Sequence, residues 1–153
     1  MADADQLALF GTPQTGRTSD DYWTPTYLFD LMGVQFDLDV ACPPGGAPWV
    51  PADAYYDQET DGLRSPWWGR VWMNPPYSQA TPWVHKFLEH GNGIALLPTA
   101  KSRWYNVLWD SQAALVPLPS SFRFAQGTIF LPTVLAALGD DNVQAITRVG
   151  RAR

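Results

Sequence analysis

An α/β fold built on a mostly parallel sheet is predicted by three features of the sequence. Runs with strand character alternate with short helical runs between residues 26 and 138, an order that produces parallel strands joined through helices. The strand candidates 70–73, 94–98 and 133–138 are apolar almost throughout, as befits strands covered on both faces. The chain has 153 residues, 46% hydrophobic and 16% charged, which suits one folded domain with a real core.

Residues 1–19 are polar, carry Gly11, Pro13 and Gly16, and show no sustained period. They are expected to form a mobile leader, with residues 20–153 as a single domain. The first element is a helix over 26–32. Thr24 is placed to cap it and Pro25 to occupy its first position, where a missing N–H costs nothing. Leu28, Phe29 and either Leu31 or Met32 supply its buried face, and Gly33 stops it. Residues 34–41 then alternate as a strand does. Asp37 and Asp39 are expected on one face, with Phe36, Leu38 and Val40 on the other.

Residues 43–69 have no long periodic segment. Pro43, Pro44, Pro48, Pro51 and Pro66 break helices there, while Trp49, Tyr55, Tyr56, Trp67 and Trp68 supply anchors. The prediction is one long packed loop with a turn at Asp61-Gly62. After the strand at 70–73, Thr81 is expected to cap a second helix that Pro82 opens and Gly91 follows. The apolar strand 94–98, a helix over about 104–109, the apolar run 113–118 and the strand 133–138 complete the order.

Composition excludes several classes. The single cysteine, Cys42, rules out an internal disulfide framework and fits a reducing cytoplasm. It reads as a small core residue. No apolar run reaches membrane-span length, and no signal peptide is present, so a cytoplasmic protein is expected. His85 and His90 lack the spacing of metal ligands, so no metal is expected. The net charge of −5 argues against coating nucleic acid by bulk electrostatics. Acidic residues crowd the first half, however. Lys86, Lys101, Arg103, Arg123, Arg148, Arg151 and Arg153 lie in the second.

The most informative stretch is Asn74-Pro75-Pro76-Tyr77, at the end of the strand 70–73. Each proline fixes its own φ and removes a donor, and Pro76 also restricts Pro75. Asn74 offers a carboxamide oxygen, and neighbouring carbonyls offer further acceptors. Tyr77 adds a flat face. Such a pocket suits a planar ring that bears an amino group, as a flipped base does. A turn followed by a core aromatic is the plainer alternative. Asp39 ends a strand before a small-residue loop, the place where α/β sheets bind ligands. Its carboxylate suits an amine or ribose hydroxyls, although the adjacent Gly45 and Gly46 do not match the usual spaced glycines.

In their order, several segments resemble the phage- and prophage-type DNA N6-adenine methyltransferases, the Dam family. The segments are Trp23-Thr24-Pro25, Phe36-Asp37-Leu38-Asp39, Asp61-Gly62-Leu63 with Trp67, Val71 to Tyr77, and Trp83. Leu96-Leu97-Pro98 and Arg123-Phe124 add weaker support, and the likeness covers about residues 20–147. It implies a reduced Rossmann-like class I methyltransferase fold. The Trp- and Pro-rich loop then replaces part of the usual βα units. S-adenosylmethionine is the implied cofactor, double-stranded DNA the partner, and the adenine amine the acceptor. Asn74, Pro75, Pro76 and Tyr77 become the catalytic group. Trp23, Thr24, Pro25, Asp37, Asp39 and Asp61 become cofactor candidates. Lys101, Arg103 and Arg123 are placed to meet phosphates.

Other outcomes stay open at this level. The same motif serves methyl transfer to the amino group of cytosine N4, RNA or glutamine, and a non-catalytic binding protein of the same fold is a further reading. The recognition sequence and the oligomeric state are not legible.

Overall fold

Every helix covers one of the two apolar faces of a six-stranded sheet in the computed structural model, which describes residues 24–99, 102–119 and 132–150. The elements are α1 (Thr26–Met32), β1 (Phe36–Asp39), β2 (Ala52–Tyr55), β3 (Val71–Met73), α2 (Ala80–His90), β4 (Gly93–Pro98), α3 (Arg103–Trp109), β5 (Ala114–Pro117), β6 (Thr133–Leu138) and α4 (Asp140–Thr147). The strand order is β2-β1-β3-β4-β6-β5. The expected leader lies outside the described residues.

The sheet is mixed, where a mostly parallel one was expected. β1–β2, β1–β3 and β3–β4 pair in parallel, but β4–β6 and β5–β6 are antiparallel. The reversal comes from β6, which inserts between β4 and β5 and runs against both. Apolarity on both faces does not encode direction, so β6 could not be distinguished from a parallel strand by composition.

Two cores follow from the alternation along the strands. Trp72, Ile94, Leu96 and Leu135 join Leu28, Phe29 and Met32 of α1 and Ala145 and Ile146 of α4. Val71, Met73, Ala95 and Leu97 join Trp83, Val84 and Phe87 of α2 and Trp104 and Leu108 of α3. Trp72 is fully buried against Phe29, with ring centroids 4.8 Å apart and planes at 72°. That edge-to-face contact adds about 0.5–1.5 kcal/mol beyond area burial. Leu28, Phe29 and Met32 form the buried face of α1, and Leu31 is exposed.

Three local expectations are corrected. The helix α1 starts after Pro25, which stands at the N-cap, so Thr24 does not cap it. Thr24 is instead buried at 2% exposure. The helix α2 begins at Ala80, behind a 3-10 turn over Tyr77–Gln79, so Thr81 lies inside it. The long loop is not all loop. Residues 52–55 add β2 to the edge of the sheet in register with β1, Phe36 facing Ala52 and Leu38 facing Ala54. The Ala-Asp-Ala-Tyr run has little apolar contrast, which hid it. The sequence reading also lacked α4, which is short and has Gly139 rather than a side-chain cap at its start.

The face assignment on β1 changes as well. The amide groups of Asp37 and Leu38 both donate to the Arg70 carbonyl, at 2.8 and 3.4 Å. Two residues opposite one is the pattern of a β-bulge. It breaks the period-2 alternation, and Phe36 and Leu38 enter different cores. Asp37 and Asp39 part in the same way: Asp37 is exposed, whereas Asp39 is 3% exposed.

Candidate functional site

The chain passes from β1 outward to β2, then returns to place β3 on the other side of β1. The connections therefore diverge between β1 and β3, and a crevice opens beyond their carboxyl ends, where α/β sheets hold ligands. A cavity of about 500 Å³ lies there, within the size range of small-molecule sites. Asp39 of β1, Asp57 just past β2, and Asn74 and Pro76 just past β3 all line it. Thr24, Asp61 and Trp83 complete the part of the wall relevant to the chemistry.

Asn74 is held from both sides. Its Nδ2 donates to Thr24 Oγ1 at 3.4 Å, and its Oδ1 accepts from the Tyr77 hydroxyl at 2.9 Å. The same hydroxyl lies 3.5 Å from the Leu96 carbonyl. Pro75 is buried, and Pro76 has φ −63 and ψ 117, an extended conformation that leads into the 3-10 turn. Thr24 thus serves the motif directly: its hydroxyl orients the Asn74 amide across 50 positions of sequence. Tyr77 is half-buried, with its ring packed against the core that contains Trp72. It does not line the cavity wall as the cavity stands.

Asp39 is the buried carboxylate of the site. Its Oδ1 accepts from the Ala41 amide at 3.3 Å. Burial pushes its pKa up from 3.8 to about 7, and the Ala41 hydrogen bond offsets part of that rise. A carboxylate that is costly to ionise alone is ready to ionise beside a cation. Burial also raises the Cys42 thiol to about 12, with Asp39 and Asp57 adding to the shift. At that value Cys42 is an inert thiol on the wall, as its reading as a small core residue implies.

The other acidic candidates divide. Asp37 stays off the cavity: its Oδ2 accepts from the Arg70 amide at 2.8 Å. It also packs so closely on Gly69, at φ +63, that a Cβ there would fall 2.2 Å from Asp37 Oδ2. Asp37 therefore anchors the entry to β3 and does not join Asp39 at the cavity. Asp61 does reach the wall, on the expected turn, with φ 55 and its Oδ2 3.6 Å from Arg64 Nε. Asp57 was missed. Its Oδ1 accepts from the Glu59 and Thr60 amides at 3.0 and 3.1 Å. The Thr60 backbone hydrogen bond leads in holding its carboxyl below the usual range. The available signal was an Asp about 20 residues beyond the first strand, the position that meets ribose hydroxyls in dinucleotide folds. Failing to see β2 hid it.

Arg103 is exposed at the start of α3, after the carboxyl end of β4 and clear of the cavity wall. Trp23, Lys101 and Arg123 lie outside the described residues. Pro25 precedes α1 without lining the cavity. Among the described residues, no group of three or more His, Cys, Asp or Glu is placed to hold a metal ion. None of the helices there is long and apolar enough to cross a membrane.

Comparison with known proteins gives concordant findings. The family model described as DNA N-6-adenine-methyltransferase (Dam) matches residues 12–119. A DNA N-6-adenine-methyltransferase of Escherichia phage T1 is 34% identical over 118 residues, covering 69% of this chain and 48% of the phage protein. The chain thus spans about half the length of that relative.

Proposed function

The chain belongs to the DNA N-6-adenine-methyltransferase (Dam) family, and on that premise we propose that it methylates the exocyclic amine of a flipped adenine in double-stranded DNA. Family membership implies a methyl donor. The donor in this reading is S-adenosylmethionine, which carries its methyl on a sulfonium and releases a neutral thioether. The observation that carries the proposal is the meeting of Asn74 with Asp39 and Asp57 around one cavity at the switch point of the sheet.

Asp39 and Asp57 suit the two polar ends of such a cofactor. A buried carboxylate with a raised pKa gains most from an ammonium partner, so Asp39 receives the amino-acid end. Asp57, past the adjacent strand, has a carboxylate kept ionised by the turn amides and accepts from ribose hydroxyls. Asp61 and Trp83 supply the remaining wall.

The adenine amine is a weak nucleophile because its lone pair is delocalised into the ring. Asn74 Oδ1 and the Pro75 carbonyl accept its two hydrogens, which favours a pyramidal nitrogen directed at the methyl. The amine must first displace the Tyr77 hydroxyl from Asn74 Oδ1. Tyr77 then stacks on the base, a contact worth about 1–3 kcal/mol that offsets part of the cost of flipping. Orientation of the two reactants supplies much of the remaining acceleration.

The fold in this reading is a reduced Rossmann-like class I methyltransferase fold in a single domain. Support comes from the parallel β2-β1-β3-β4 half and its crevice. The reduction lies in the connections on either side of β2, which run without a helix across residues 40–70. Arg103, exposed at the start of α3, is assigned to DNA phosphates in this reading, and Lys101 and Arg123 take the same role on the sequence alone. The expected compartment is the cytoplasm, that of a host cell if the gene is carried by a phage.

The test is incubation with labelled S-adenosylmethionine and mixed-sequence duplex DNA, followed by nucleoside analysis and mapping. N6-methyladenine at a defined sequence is the expected product. Label in N4-methylcytosine, in RNA or in protein glutamine instead would overturn the choice of acceptor.

A further inference from the structure

The Lys86 ammonium is surrounded by backbone oxygens. From the middle of α2 it donates to the carbonyls of Leu63 at 2.8 Å, Ser65 at 2.6 Å and Gly62 at 3.3 Å. It also stands 5.2 Å from the centroid of the Trp67 ring, within cation–π range. Trp67 closes the same group, since its Nε1 donates to the Gly62 carbonyl at 2.7 Å. Trp67 in turn stacks on Trp83, one turn before Lys86 on α2, with planes at 28°.

The turn thus gripped has no slack on its other side. A Cβ on Gly62 would lie 1.9 Å from the Val40 carbonyl and 3.0 Å from the Trp83 ring. The turn is therefore pressed between the end of β1 and the face of α2. It carries the left-handed Asp61, at φ 55, a conformation that costs a non-glycine residue energy unless its surroundings impose it. Asp61, Gly62, Leu63 and Arg64 all line the cavity, next to Val40 and Asp39.

We infer that Lys86 is a positioning residue of the cavity: it holds the 61–65 turn against the end of β1 and so sets cofactor affinity without touching the reacting atoms. The inference rests on reading the cavity as the cofactor site. An ammonium fits this task because three convergent acceptors match its three donors, whereas a planar guanidinium does not offer that geometry.

The test compares wild type with Lys86→Met, which keeps the apolar stem and removes the charge, and with Lys86→Gln, which keeps one donor group. Arg148→Met is the control, because Arg148 Nη1 donates to the Met32 carbonyl at the end of α1, and Arg148 does not line the cavity. Calorimetry with S-adenosylmethionine should show binding weakened about tenfold in Lys86→Met and by less in Lys86→Gln. At saturating cofactor, kcat should stay near that of wild type, the mark of lost uniform binding. Amide exchange should quicken within residues 60–67 and remain slow in β3 and β4. The Arg148→Met protein should keep wild-type affinity.

Unchanged affinity in Lys86→Met while wild type binds would overturn this inference alone. So would an equal loss in Arg148→Met, a fall in kcat with affinity kept, or failure of both Lys86 variants to fold. No binding by wild type would instead overturn the cofactor reading, and this inference with it.

Discussion

The Tyr77 hydroxyl donates to Asn74 Oδ1 across 2.9 Å, so the acceptor that the proposed mechanism assigns to the substrate amine is already engaged by the neighbouring aromatic of its own motif. Entry of a base must therefore exchange one hydrogen bond for another. In the proposed mechanism the exchange separates the two parts of Tyr77: its ring moves onto the bound base, and its hydroxyl holds the empty site. Tyr77→Phe is expected to methylate DNA at least as well as wild type. Tyr77→Ala is expected to lose about 1–3 kcal/mol of stacking, or roughly 5- to 150-fold in kcat/KM for DNA. Steady-state assays on one duplex decide it, and equal impairment of the two variants would count against a stacking role.

Asn74→Ala removes the carboxamide that joins Thr24 to Tyr77. The side chain is half-buried and lies beyond the end of β3, so the sheet is expected to persist, with a far-ultraviolet spectrum like that of wild type. Methyl transfer should fall by about 10²–10³-fold or more, the scale seen when one preorganised hydrogen-bonding group is removed. Cofactor affinity measured separately should change little. Near-normal turnover by a folded Asn74→Ala protein would remove the motif from the mechanism.

Asp39 is expected to make both stability and cofactor binding depend on pH, with opposite signs. Its folded pKa is about 7, above the ordinary 3.8, so the folded state holds the proton between those values and the unfolded state does not. Stability from this group is therefore full below about pH 3.8 and declines as pH rises towards 7. An ammonium ligand needs the carboxylate, so cofactor affinity should rise over the approach to pH 7. Binding near pH 6 should release a proton, visible as a calorimetric heat that varies with buffer ionisation enthalpy. Asp39→Asn should abolish both the pH dependence and the release.

The Asp57 carboxylate organises a turn, and the proposed function gives it a second task at the cofactor. Its Oδ1 organises the turn through Glu59, Thr60 and the Thr60 hydroxyl at 3.2 Å. Asp57→Asn keeps an oxygen for those amides but lowers the charge offered to hydroxyl donors. Cofactor affinity is expected to fall about tenfold in Asp57→Asn, with the melting temperature nearly unchanged. Asp57→Ala should lower both. Parallel calorimetry and thermal melts distinguish these outcomes, and full affinity in both variants would exclude Asp57 from the site.

Sequence alone determined the motif to which the proposal assigns catalysis. Asn74-Pro75-Pro76-Tyr77 is contiguous, its stiffness comes from covalent proline geometry, and the apolar run before it has only one sensible placement. The same holds for Asp39 as a strand-end carboxylate and for the Asp61-Gly62 turn. Tertiary structure alone decided which acidic residues meet them. The bulge opposite Arg70 breaks the alternation that paired Asp37 with Asp39, and such a break depends on a partner strand 33 residues away. Pairing with β1 makes a strand of Ala52–Tyr55 and so carries Asp57 to the cavity. No local propensity reports that event, because an edge strand of alternating Ala and Asp gains its order only from the hydrogen bonds of its neighbour. Thr24 follows the same logic: a residue shaped like a helix cap is buried, and its hydroxyl meets the amide of Asn74.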